Sequence, residues 1–203
     1  MDFNLLFRWT FGLVLVTSIL ISGYYRHRAR HVSGTIPRTA EGPLAVALRL
    51  LMTLPAVAII GLYLFAPDWL NWAQIELPLA VRLSAAFILA VLPLGVLWVF
   101  TSIGSNISET VLTKANHQLV MHGPYRWVRH PLYAVALLAL LALGLMAANA
   151  LLLLIWASGA AVFRLIVIPR EEAHLVARFG GAYERYRART GALLPGPGVA
   201  SAS

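Results

Sequence analysis

The chain has 203 residues, of which 60% are hydrophobic and 12% charged, with a formal net charge of +8 and a mean hydropathy of +0.76. A water-soluble domain carries about twice that share of charge, so a soluble globular class is excluded. There is no cysteine, which removes disulfides, thiolate metal sites and cysteine nucleophiles.

Five apolar runs are long enough to span a bilayer as helices: 3–23, 44–65, 79–102, 132–148 and 150–168. Backbone polar groups must be satisfied inside lipid, so an all-α integral membrane protein is expected. No positive residue precedes the first run and no small-residue cleavage pattern follows it, so it reads as a retained helix rather than a leader. Basic loops alternate with charge-poor ones. The loop 24–43 holds Arg26, Arg28, Arg30 and Arg38, the loop 66–78 has no basic residue, and the loop 103–131 holds Lys114, Arg126 and Arg129. The chain after the fifth run adds Arg170, Arg178, Arg185, Arg187 and Arg189. The positive-inside rule then puts the N-terminus outside and the C-terminus in the cytoplasm. This topology and anionic headgroups account for the +8 charge, and no nucleic-acid partner is expected.

Three parts follow from the composition: a three-helix membrane part over 1–100, a functional part over 101–195, and a Gly-, Pro-, Ala- and Ser-rich tail over 196–203 that reads as disordered. In the first part, Trp69 and Trp72 suit an interfacial belt, and Arg8, Arg49 and Arg82 read as side chains snorkelling to headgroups. Pro55 and Pro93 are expected to kink their helices.

The second part carries the chemistry. The stretch 103–122 is too polar to span, and Gly123-Pro124 marks a turn. Pro131 suits a first helical turn, which puts His130 at the N-cap. Free N–H groups at that helix start, together with Arg129 and His130, make a carboxylate site. The fourth and fifth runs meet at Ala147-Ala148-Asn149 and read as a helical hairpin packed through small residues such as Ala142, Gly144 and Gly159. That hairpin returns Arg170-Glu171-Glu172 to the level of Arg129 and His130. A basic and an acidic cluster converging at a membrane surface suit a zwitterionic cofactor. Beyond them, Glu172, Leu175, Val176, Phe179, Tyr183 and Tyr186 recur at helical spacing, giving a surface-lying amphipathic helix with a break at Gly180-Gly181. Tyr183 and Tyr186 read as interfacial packing. His117 and His122 do not share a helix face, and no metal is expected.

The segment from His117 to Tyr133, HQLVMHGPYRWVRHPLY, resembles the signature of the isoprenylcysteine carboxyl methyltransferase family, whose wider superfamily includes membrane phospholipid N-methyltransferases. A second block resembles the same family: Glu171-Glu172, Leu175, Phe179-Gly180, Tyr183, Tyr186 and Leu194-Pro195. The resemblance implies transfer of a methyl group from S-adenosyl-L-methionine to a lipophilic or lipidated acceptor. Carried over by position, it implies that His117, Leu119, Val120, Gly123 and Tyr125 line the cofactor pocket. It further implies that Arg129, His130 and Tyr133 hold the methionine moiety, with Glu171 and Glu172 facing them. Glu171 would serve as base for a thiol or amine acceptor, whereas a carboxylate acceptor needs a cation to orient it. Prenylcysteine methyltransferases place an arginine one turn before the first glutamate; here that position is Val167, and Arg164 and Arg170 are the nearest arginines. A prenylcysteine carboxylate, a phospholipid amine, a small thiol and a terpenoid acid all remain open as acceptors. Two other classes stay open at this point: a nicotinamide-dependent membrane reductase and a non-catalytic membrane partner protein. Oligomeric state is not readable.

Overall fold

The computed structural model describes residues 3–33, 43–104 and 119–196. Their regular structure is helical; strand-like pairing among the described residues is confined to two isolated bridges, Gln74 with Asn149 and Val128 with Gly191. The long helices are α1 (Phe3–Ser33), α2 (Pro43–Phe65), α3 (Leu79–Ile103), α4 (Pro131–Ala147) and α5 (Ala150–Val162). A π-helical turn, Phe163–Val167, leads from α5 into α6 (Ile168–Phe179), and α7 (Gly181–Arg189) follows.

All five apolar runs are helices. Three stretches are long and apolar enough to cross a membrane: Phe3–His31, Leu79–Ile103 and Ala150–Phe179. The end of α2 (Thr53–Phe65) qualifies only together with the 3-10 turn Pro67–Ala73, which bends 112° away from it. Helix α4 has 17 residues, about 25 Å of rise, and falls a little short of the ~30 Å hydrocarbon core. The apolar exterior, with exposed Leu13, Leu20, Leu54, Phe87, Leu94, Leu154 and Leu165, completes the picture of an integral membrane protein.

Helix α1 corrects the expected loop at 24–33. The run Tyr24-Tyr25-Arg26-His27-Arg28-Ala29-Arg30-His31 contains no Gly or Pro, and Ala and Arg are good helix formers. Packing then extends the helix: Ala29 is buried, Tyr25 stacks on Phe100 at 5.9 Å between centroids, and Arg26 lies over the same ring at 5.8 Å.

Helix α3 is central and touches both α1 and α4. One apolar core joins Phe7 and Phe11 of α1, Tyr63 of α2, Leu89 of α3, Leu143 and Met146 of α4, and Leu152 of α5. The α4–α5 hairpin forms as expected. Ala148 takes the left-handed conformation at φ 50°, and Asn149 caps α5 by accepting from the N–H groups of Leu151 and Leu152. A Cβ at Gly144 would lie 2.7 Å from Leu153 Cδ2, so glycine is what lets the two arms close. Below the hairpin, Pro169 removes a backbone donor and would crowd the preceding turn of an α-helix. The chain widens to a π turn just before it and stays helical.

The opposite end of the bundle is stitched by arginines. Arg82 donates to the Met146 carbonyl at 2.9 Å and to Asn4 Oδ1 at 2.6 Å, and Arg8 donates to the Leu64 carbonyl at 3.0 Å. These carbonyls belong to the last turns of α4 and α2, where helices leave acceptors unsatisfied. Arg8 and Arg82 are therefore helix caps rather than snorkelling side chains. Trp69 and Trp72 are exposed as expected. The side chain of Arg49 lies outside the described residues, as does the tail from 197 to 203.

Candidate active site

Two loops and three helices build the polar end. The turn Gly123–Arg126 docks against the end of α3. Gly123 has φ +60°, and a Cβ there would strike Ser102, so the motif needs glycine at this point. Trp127 packs edge-on against Trp98 of α3 at 5.3 Å. The chain then runs extended into His130 and turns into α4 at Pro131, with His130 at the N-cap position.

The segment 128–130 is tied to the end of α7. The backbone N–H of Arg129 donates to Gly191 O at 2.9 Å, and that of His130 donates to Ala192 O at 3.0 Å. Tyr186 donates its hydroxyl to Tyr125 O at 2.7 Å. Arg129 donates through Nη1 to the carbonyls of Arg187 and Thr190. This is a cation at a helix C-terminus, where orphan carbonyls and the helix dipole both favour it. A Cβ at Gly191 would run into the Leu194 carbonyl, so the Gly-rich end of the chain is a tight, ordered turn up to Gly196.

Four charged groups meet above α4. Arg129 Nε donates to Glu172 Oε1 at 2.7 Å. The His130 ring lies between the two carboxylates, with Nδ1 3.5 Å from Glu171 Oε2 and Nε2 3.3 Å from Glu172 Oε1. Tyr133 donates to Glu171 Oε2 at 2.8 Å and stacks on His130. Burial alone would pull the His130 pKa down; hydrogen bonds to Glu171 and Glu172, and their charge, outweigh it and hold the pKa above its ordinary value. The two carboxylates thus favour the protonated imidazole between them. With His130 protonated, Arg129, His130, Glu171 and Glu172 carry no net charge together.

The remaining expected site residues sit as follows. Leu119, Val120 and Gly123 are half-buried on the approach to the cluster. Tyr125 is half-buried as well, and burial followed by the nearby Glu171 charge raises its pKa, which keeps it protonated. Arg164 and Arg170 are exposed, and neither makes a hydrogen bond or ion pair among the described residues. Arg164 stands in the π turn beside Phe163, which packs on Tyr133 at 4.6 Å between centroids. His117 lies outside the described residues.

Residues 83–177 match the model of the isoprenylcysteine carboxyl methyltransferase family. The match supports the resemblance over the first block and over Glu171, Glu172 and Leu175 of the second. The match begins within α3, ahead of the first block, and ends on α6, short of α7. Two curated relatives match part of the chain. The Methanethiol S-methyltransferase of Mycobacterium tuberculosis is 40% identical over 76 residues, covering 37% of this chain and 30% of that one. The Protein-S-isoprenylcysteine O-methyltransferase of Schizosaccharomyces pombe is 34% identical over 94 residues, covering 45% of this chain and 40% of that one. The matched segments thus span less than half the length of each relative.

Sequence reasoning found the four charged residues and Tyr133. The expectation that the amphipathic C-terminal helix borders the pocket includes α7, but reads Tyr183 and Tyr186 as interfacial packing; they are instead 1% and 6% exposed, and Tyr186 is bonded to Tyr125 O. The Tyr183–Tyr186 spacing of three residues, next to a Gly-rich end, was the available signal.

Proposed function

We propose that this protein is an S-adenosyl-L-methionine-dependent methyltransferase of a lipophilic acceptor, with an isoprenylcysteine-type carboxylate as the first candidate. The observation that carries the reading is the meeting of Arg129 and His130 with the carboxylates of Glu171 and Glu172 at the base of a membrane hairpin, a set that is neutral when His130 is protonated. An amino-acid zwitterion can exchange into such a cluster without leaving a buried charge unpaired. His130 and Arg129 suit its carboxylate, Glu171 and Glu172 suit its ammonium, and the N–H groups at the start of α4 add to the anion side. When bound, the cofactor supplies an electrophilic methyl group on a sulfonium. The protein's part is to align the acceptor with that methyl and to exclude water from both charges.

Arg164 is assigned the acceptor carboxylate. It is a charged side chain within a membrane-spanning stretch, without a partner among the described residues, in a π turn adjoining the site. Such residues are functional candidates by default, and π turns gather at functional sites. Arg170, one residue before Glu171, is the alternative cation. The acceptor's apolar tail would enter sideways from lipid between helices. The N-terminus is placed outside, and the C-terminus and the site in the cytoplasm.

A second reading rests on Val167 and on the similarity to the Methanethiol S-methyltransferase of Mycobacterium tuberculosis. In it the acceptor is a small thiol or a phospholipid amine, and Glu171 takes its proton.

One assay separates the two. Purified protein is given tritiated-methyl S-adenosylmethionine with N-acetyl-S-farnesylcysteine, a phosphatidylethanolamine or a short alkanethiol. The first reading predicts a base-labile methyl ester on the farnesylcysteine. It also predicts that Arg164→Ala lowers kcat/KM about 10- to 100-fold, the worth of one charge-assisted hydrogen bond. Methylation confined to the thiol or the amine, abolished by Glu171→Gln and untouched by Arg164→Ala, would overturn it in favour of the second. Single introduced cysteines at 71 and 185, labelled from outside intact cells, test the orientation: only the first should react.

A further inference from the structure

The Tyr183 hydroxyl is buried and has no hydrogen-bond partner among the described residues. The residue is 1% exposed and one of the most deeply enclosed large side chains of the chain. Leaving a buried hydroxyl unsatisfied is costly, and phenylalanine would fill the same space without that cost. Its neighbour Tyr186, whose ring centroid is 5.9 Å away, shows the ordinary arrangement, since its hydroxyl donates to Tyr125 O. Two tyrosines on one short helix thus differ: one is satisfied and one is not.

The surroundings of the unsatisfied hydroxyl are specific. Tyr183 lies on α7, the helix whose C-terminal carbonyls hold the Arg129 guanidinium. The same guanidinium holds Glu172 at 2.7 Å. The charges that act on Tyr183 most strongly are those of Glu172, Arg129 and Glu171, in that order. Burial raises its pKa and keeps the phenol a donor throughout the physiological range. In the ligand-free arrangement Glu172 already accepts from Arg129 and faces His130, so it has no need of a third donor.

That changes once a zwitterionic ligand enters. Its carboxylate competes with Glu172 for Arg129 and His130, and Glu172 loses donors while it turns toward the ligand's ammonium. We propose that Tyr183 is a positioning residue for the occupied site: its idle hydroxyl takes over as hydrogen-bond donor to Glu172 and fixes that carboxylate against the ligand. The cost of the unpaired hydroxyl is recovered on binding. The inference rests on the cofactor reading given above.

The test uses the full-length protein in detergent with added lipid, and S-adenosylhomocysteine as the probe. Tyr183→Phe should leave the free protein's Tm unchanged or slightly higher, because it removes an unsatisfied group, while the affinity for S-adenosylhomocysteine falls about tenfold, the worth of one hydrogen bond to a charged partner. Tyr186→Phe should do the reverse and lower Tm, because the Tyr125 carbonyl loses its donor. A purely structural Tyr183 would move Tm and affinity together, or leave the affinity of Tyr183→Phe equal to wild type; either result overturns the inference. No binding of the probe to the wild type overturns the cofactor reading, and this inference with it. Binding to the wild type that is unchanged in Tyr183→Phe overturns this inference alone.

Discussion

The two ends of the helical bundle use the same polar side chains for different purposes. At the hairpin turn, Arg82, Arg8 and Asn149 bond to backbone carbonyls of Met146, Leu64 and Leu70. Those acceptors belong to fixed helix ends, and no ligand can replace them without unravelling a turn. At the other end, Arg129 and His130 bond to the carboxylates of Glu171 and Glu172. Bonds between side chains can be exchanged for bonds to a ligand of the same charge pattern. An arginine in a membrane protein is thus told apart by what it holds: a carbonyl marks a stitch and a carboxylate marks an exchangeable site. Arg129 is both, because one nitrogen holds Glu172 and another holds the end of α7.

That double duty makes Arg129 the place where the contrast breaks most severely. Arg129→Ala leaves Glu172 half-buried beside only His130 and strips two carbonyls of their donor. Removing one member of a buried pair costs about 3–5 kcal/mol, and Tm in detergent should fall by about 6–20 °C. Arg129→Lys restores the charge but not the fork between α6 and α7, so it should recover only part of that loss.

Asn149→Ala probes the stitched end. It removes an N-cap with two accepted N–H groups and the bond to Leu70 O, with an expected cost of about 1–3 kcal/mol in a thermal or urea unfolding series. Binding at the far end should be unaffected at temperatures where the variant is folded. A loss of binding as large as that of Arg129→Ala would erase the distinction between the two ends.

The smallest effect is that of pH. His130 is held above its ordinary value of 6.5 by Glu171 and Glu172, against the opposing pull of burial. Its contribution to stability is therefore complete below about pH 6.5 and is lost as pH rises through the raised value. Tm should decline as pH rises above about 6.5, and His130→Asn should flatten that decline. Arg82 and Asn149 do not titrate in this window, so the stitched end contributes none of it.

Much of this was legible in the sequence. The apolar runs gave every long helix start, and the ends of α2, α3 and α4, to within a residue or two, because lipid leaves the backbone little choice. Pro131 fixed the start of α4 through its local chemistry. Arg129, His130, Glu171 and Glu172 were legible because charges at the ends of two runs joined by a tight turn must return to one level. What stayed hidden depended on packing between distant segments. Helix α1 runs on to Ser33 because Phe100 offers a surface to Tyr25 and Arg26. Arg8 and Arg82 are caps because the ends of α2 and α4 lie within their reach. Tyr183 looks like any amphipathic-helix aromatic until its hydroxyl is seen to be enclosed with nothing to bond.

The most direct test of the central claim is calorimetric titration of S-adenosylmethionine into the purified protein in lipid-supplemented detergent. The double variants Arg129→Ala/His130→Ala and Glu171→Ala/Glu172→Ala are titrated alongside, with Asn149→Ala as the stitched-end control. The account predicts micromolar binding to the wild type and to Asn149→Ala, and none to either double variant. No binding to the wild type at concentrations far above that range, or undiminished binding in both double variants, would contradict it.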